Sequence, residues 1–225
     1  ASGKLKRQLT DGPWNVTGIS RLDPASRTLW VGGVGREPGR DPYYVHYYQV
    51  GLDDGQVRLL TPEDAHHAAK FSKDGRHFID TYSTVDTAPV TVLRDRDGRT
   101  VVDVARADLS RLQAAGWVPP ERFTVKARDS KTDLYGLMFK PSGFDPAKKY
   151  PIVTYIYPGP QVGSVRSRGF VPAHSDHQAL AELGFIVIAV DGMGTPLRSK
   201  SFQDAWYGDM ADNTLPDQVA ALEQL

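Results

Sequence analysis

The chain has no cysteine among its 225 residues, which excludes disulfides and any thiolate nucleophile or metal ligand, while leaving the compartment open. It also lacks any excess of charge. Lys plus Arg and Asp plus Glu number 27 each, a net charge of +0, which argues against a broad nucleic-acid or membrane-binding face. No apolar run approaches the roughly 20 residues needed to span a bilayer. The first residues, Ala1-Ser2-Gly3, carry neither an initiator Met nor an apolar leader, so a cut or processed start is expected. What remains is ordinary for a globular protein: 40% hydrophobic and 24% charged residues, enough for one large or two small domains.

The strongest pattern lies after residue 150. Tyr150-Pro-Ile-Val-Thr-Tyr-Ile-Tyr157 empties into Pro158-Gly159-Pro160-Gln161, and Phe185-Ile-Val-Ile-Ala-Val190 into Asp191-Gly192-Met193-Gly194. Near-continuous β-branched runs of this length predict strands buried on both faces of a parallel sheet. Between them His177–Gly184 has helical composition, with Gly184 placed as a stop. The unit reads as βαβ, and ligands in such sheets gather at the carboxyl ends of the strands, here Tyr157 and Asp191. The nucleophile expected to follow would sit in Gly-x-Ser-x-Gly, because a strained strand-to-helix elbow needs small residues around the serine. No serine qualifies: Ser20 has Gly18 before it but Leu22 after it, and Ser167 has Gly169 after it but Val165 before it. A last helix is predicted from about Leu215 to Leu225, so the chain is expected to be a fragment.

Residues 1–108 follow a different grammar. Val16–Ser20, Thr28–Val31, Val45–Val50 and Gln56–Leu60 form one set of four short strands. Ala68–Phe71, His77–Tyr82, Pro89–Leu93 and Thr100–Val104 form the next. Asp-Gly turns fall at Asp54-Gly55, Asp74-Gly75 and Asp97-Gly98. The sets repeat: Leu9-Thr10 recurs 51 residues on as Leu60-Thr61, and Asp54-Gly55 recurs 43 residues on as Asp97-Gly98. Four strands recurring at roughly 40–50 residues match β-propeller blades, with a small antiparallel meander or sandwich as the alternative. From residue 109 a short helix or turn (Leu109–Gly116) and the Pro119-Pro120 linker lead to a hairpin. Its strands are Glu121–Lys126 and Leu134–Lys140, turning at Asp129–Thr132.

These residues resemble the prolyl oligopeptidase family of serine peptidases, and within it the dipeptidyl peptidase IV branch. The resemblance rests on Gln8–Thr17, His67–Gly75 and Asp80–Ser83 in the first part. In the second it rests on Gly136–Pro141, Lys149–Val153, Tyr157–Gln161 and Asp191–Gly194. It implies a mixed fold, β-propeller-type antiparallel blades over residues 1–108 followed by the N-terminal part of an α/β-hydrolase domain over 109–225, with a Ser/Asp/His triad beyond Leu225. It further implies removal of N-terminal dipeptides, X-Pro or X-Ala, through an acyl-enzyme. It leaves the chain alone inactive. Met193 departs from the family's usual Arg, and Tyr157 is followed by Pro rather than a smaller residue. The acidic pair that holds a substrate's amino end would belong to sequence before Ala1.

By the same resemblance Tyr157 supplies a phenol to the oxyanion hole; the plainer reading is a strand-end tyrosine anchored to a loop. Asp191–Gly194 lacks the companions of a phosphate loop and reads as a structural turn. His174-Ser-Asp-His177 could offer two metal ligands but no third nearby. Tyr43, Tyr44, Tyr47 and Tyr48 read as strand packing, since no basic stripe accompanies them for base stacking. No metal and no cofactor are expected. The partner is a peptide substrate, with a homodimer allowed in the intact protein and a lean toward a periplasmic or secreted site. Two rival readings stay open: a noncatalytic interaction module, and an acylaminoacyl-peptidase or esterase of the same fold.

Overall fold

The computed structural model describes residues 3–157 and 159–225; Ala1, Ser2 and Pro158 lie outside them. Two compact units emerge. One runs up to Thr84 and includes Pro89–Ala107; the other comprises Val85–Ala88 and Asp108–Leu225.

The first unit holds two four-stranded antiparallel meanders. One is built from β1 (Asn15–Asp23), β2 (Thr28–Val34), β3 (His46–Gly51) and β4 (Val57–Leu59). The other contains β5 (His66–Phe71), β6 (His77–Ser83), β7 (Val90–Asp95) and β8 (Thr100–Arg106). Strand order follows chain order in both, and neither closes on itself. Alternation drives the burial. In β3, His46, Tyr48 and Val50 point inward while Tyr47 and Gln49 stay half-exposed. Trp30 of β2, Leu60, Phe71 of β5 and Phe78 of β6 bring the two sheets together, with the Phe71 and Phe78 rings stacked at 4.7 Å.

The repeat seen in the sequence has a physical cause. Gly55, at φ +72°, faces the carbonyl oxygen of Leu9, where a Cβ would come within 2.8 Å. Gly98, at φ +88°, faces the carbonyl of Leu60, where a Cβ would come within 2.5 Å. Each turn glycine thus presses on the leucine that opens its own four-strand set, which only a residue without a side chain allows.

The second unit is a four-stranded mixed sheet in the order β11-β12-β10-β9. Its members are β9 (Glu121–Lys126), β10 (Asp133–Phe139), β11 (Ile152–Tyr155) and β12 (Ile186–Val190). β11 and β12 pair in parallel through α2 (His177–Glu182), which stops at Gly184 with φ +99°, while β10 pairs antiparallel with both β9 and β12. The period of two splits β12 between two cores. Val187 and Ala189 pack with Leu137, Phe139 and Ala181. Val190 packs with Leu134, Val125, Phe202 of α3 (Lys200–Gln203) and Ala221 of α4 (Leu215–Gln224). β12 is therefore buried on both faces, as the sequence predicts.

β11 is not. It pairs with β12 alone among the described residues, exposes Ile152, and ends at Tyr155, two residues short of Tyr157. The ladder stops because the next backbone donor turns elsewhere: the Tyr157 N–H finds a side-chain acceptor instead of a strand. A short helix, α1 (Ser110–Ala114), precedes β9, and no helix among the described residues is long and apolar enough to cross a membrane.

Candidate functional site at the carboxyl ends of the parallel strands

Tyr157 leaves the sheet just beyond β11. Its backbone N–H donates to Ser164 Oγ at 3.0 Å. Its ring lies against Gly159, where a Cβ would come within 2.6 Å of the ring carbon Cε1, and the Arg166 guanidinium stacks 4.9 Å from the ring centre. The side chain is half-buried, and no partner for the phenol oxygen is found among the described residues. The following turn is held from α3, whose Gln203 Nε2 donates to the Pro160 carbonyl at 3.2 Å.

At the end of β12, Asp191 is buried, and its carboxylate accepts from the Val165 N–H at 3.1 Å and pairs with the Arg168 guanidinium. Two residues on, Met193 N–H donates at 2.8 Å to Asp217, a carboxylate with no solvent exposure on α4. Asp217 also accepts from the Arg128 N–H and from its guanidinium Nε, at 3.0 and 3.1 Å. Both buried carboxylates thus have an arginine and a backbone donor, a pairing that makes charge tolerable away from water. Gly194, at φ +104°, lies so close to the Trp206 indole that a Cβ would overlap it. The sequence marked Asp191–Gly194 as a turn. It gave no sign that the Asp191 side chain holds residues 163–168, because Val165 and Arg168 are joined to it by no period or motif.

His174 and His177 do not assemble a metal site. His174 packs edge-on to Phe139 at 5.4 Å, and His177 lies between Phe139 and Tyr155. Burial lowers the His174 pKa to about 4, with His177 contributing, and lowers that of His177 as well. Three ligating side chains converge at one place among the described residues, Glu63, His67 and Asp80 in the first unit. Arg94 already lies between its carboxylates, with Nε 2.8 Å from Asp80 and a terminal nitrogen 2.7 Å from Glu63, and His67 Nδ1 is 3.0 Å from Asp80. An internal guanidinium thus already fills the space between the two carboxylates, so a metal ion would have to displace it. Tyr43, Tyr44 and Tyr48 are buried in this unit, Tyr48 donating to Glu37 at 3.1 Å, which is packing and not a stacking platform.

Residues 1–89 match the family described as the dipeptidyl peptidase IV N-terminal region, and residues 173–225 match the prolyl oligopeptidase family. Dipeptidyl peptidase 8 of Homo sapiens is 29% identical over 228 residues, covering 96% of this chain and 25% of the relative. A solved structure from Bacteroides ovatus aligns with a TM-score of 0.80 at 27% identity, over 97% of this chain and 30% of that one. Dipeptidyl peptidase 4 of Porphyromonas gingivalis aligns with a TM-score of 0.76 at 26% identity, over 98% and 30%. The chain spans about a quarter of the length of the curated relative it matches. With propeller-type antiparallel sheets followed by the opening strands of an α/β-hydrolase sheet, the chain is similar, over nearly its whole length, to dipeptidyl peptidases of the prolyl oligopeptidase family.

Proposed function

We propose that this chain is part of a serine exopeptidase that removes dipeptides, X-Pro or X-Ala, from peptide N-termini by acyl-enzyme chemistry, and that Tyr157 is its oxyanion donor. Residues 1–108 then supply propeller blades, and residues 109–225 the opening of the hydrolase domain, ahead of a nucleophile that this sequence does not contain. The change from one unit to the other at Ala107 and Asp108 supports that division.

The observation that carries the reading is the phenol of Tyr157, lying past the carboxyl end of the first parallel strand without a hydrogen-bond partner among the described residues. Attack on a peptide carbonyl places negative charge on its oxygen, and a donor preset about 3 Å away stabilises that charge more than the ground state. The ring contacts both Gly159 and the Arg166 guanidinium, which limits the reorganisation needed when the charge appears. In the full-length protein, Tyr157→Phe is expected to lower kcat on Gly-Pro and Ala-Pro amides by about 10²–10³, with KM moving far less. A purely structural tyrosine predicts a lower melting temperature with normal turnover per folded molecule. A kcat within threefold of wild type in the same preparation sinks the assignment.

A further inference from the structure

We infer that Ser164, whose neighbours Gly163 and Val165 rest on Asp191, is a positioning residue that fixes the Tyr157 turn; this rests on the proposed role of Tyr157 and adds the machinery that aims it.

Residues 159–168 have no regular structure, so their backbone groups and those they adjoin need partners from elsewhere in the fold. Ser164 is 1% exposed, and its hydroxyl oxygen accepts the Tyr157 N–H at 3.0 Å. The residues on either side of it rest on one carboxylate. Val165 N–H donates to Asp191 Oδ1 at 3.1 Å, and Gly163 lies so close to the same group that any Cβ would overlap it. Asp191 is set in turn by β12, the strand buried on both faces, and by its pairing with Arg168, itself buried.

A continuous path of contacts therefore runs from the strand buried on both faces to the Tyr157 backbone. The last ladder pair of β11 is Tyr155 with Ala189, so Ser164 makes the first fixed contact beyond it. Ser164 touches Tyr157 through the backbone and acts on the phenol only by aiming it. Misplacement of a donor by about 1 Å can cost 10²-fold in rate, which is the scale on which such a support matters. The Gln203 bond to Pro160 grips the far side of the same turn.

The test uses the full-length protein and a double-mutant comparison on a Gly-Pro amide. Ser164→Ala is expected to lower kcat about tenfold or more, with KM within twofold. Ser164→Thr, which keeps the acceptor, is expected to stay within threefold of wild type. In the Tyr157→Phe background, Ser164→Ala is expected to cost less than twofold, because there is no longer a donor to aim. If the alanine variant does not fold, Ser164→Cys, a poor acceptor of similar shape, enters the same comparison. An unchanged kcat in Ser164→Ala (or in the cysteine variant that replaces it), or an equal loss in both backgrounds, overturns the inference while leaving Tyr157 as donor. An unchanged kcat in Tyr157→Phe overturns the donor reading and this inference together.

Discussion

The two units bury charge in different places. In the antiparallel unit, the charges lie within the ladder: His67 on β5, Asp80 on β6 and Arg94 on β7 join three adjacent strands side by side, with Glu63 closing the group. In the mixed α/β unit they lie past the strands: Asp191 follows β12, and Asp217 on α4 receives the turn after β9 through Arg128. The first arrangement ties three strands of one sheet together. The second ties loops to a sheet, at the edge where ligands of parallel strands bind. Buried charge thus joins neighbouring strands in one unit and anchors loops past the strand ends in the other.

That contrast can be broken most directly at Asp80. It is fully buried and serves both His67 and Arg94, so Asp80→Ala leaves the buried guanidinium with Glu63 alone and strips His67 Nδ1 of its carboxylate. A loss of about 3–5 kcal/mol in the first unit is expected, read by denaturant melts and by faster hydrogen exchange of β5–β7 amides. Exchange in β10 and β12 should stay unchanged; equal loss in both units would show that the network is not local to its sheet.

The repeated glycines give the next effect. Gly98→Ala must meet both a left-handed backbone and the Leu60 carbonyl, whereas Gly39, at φ +75°, has nothing within 4 Å of its missing Cβ. Gly39→Ala therefore measures the backbone cost alone, about 1–2 kcal/mol. Gly98→Ala is expected to cost about 1–3 kcal/mol more, the typical penalty of forcing an extra carbon into a filled space. Equal losses would mean that the turn moves away from Leu60 freely and that the repeat carries no packing role.

Most of the strands were legible because period-two alternation and Asp-Gly turns are local signals. The recurrence of Leu-Thr and Asp-Gly pairs was visible too, although the contact behind it, glycine on a leucine carbonyl, was not. The apolar composition predicts a strand as far as Tyr157, two residues beyond the observed end of β11. Composition cannot report that the Tyr157 N–H leaves the ladder for Ser164. The half-buried pair Arg128–Asp217 and the buried pair Arg168–Asp191 are invisible for the same reason: their partners are far apart in sequence and follow no spacing rule.

Acid should affect both units through buried neutral histidines. His174 in the α/β unit and His46 in the antiparallel unit are each lowered to about 4, first by burial and then by a neighbouring histidine, His177 or His67. The unfolded chain binds the proton near pH 6.5, so stability is full above that value. It declines as the pH falls toward 4 and levels off below, once the folded state is protonated too. A loss on the order of 3 kcal/mol per histidine is expected across that window. His174→Phe should flatten the decline for β10 and β12 amides while leaving that of β2 and β3, which depends on His46. A slope unchanged in all four strands would assign the acid sensitivity elsewhere.

The smallest effect is expected at Asp53, whose pairing with Arg27 resembles the buried pairs in distance, at 2.7 Å, but not in surroundings. Both side chains are more than half exposed. The carboxyl pKa is lowered, first by the hydrogen bond from Arg27. Water already solvates each partner, so joining them gains little over leaving them apart, and ordering two long side chains offsets that gain. Added salt weakens what is left. Asp53→Asn is therefore expected to melt with the wild type, within the scatter of repeated scans, at both low and high ionic strength. A clear drop at low salt that disappears at high salt would show that exposed pairs also help hold the antiparallel unit together, and distance, not burial, would then be the better guide to which ion pairs matter here.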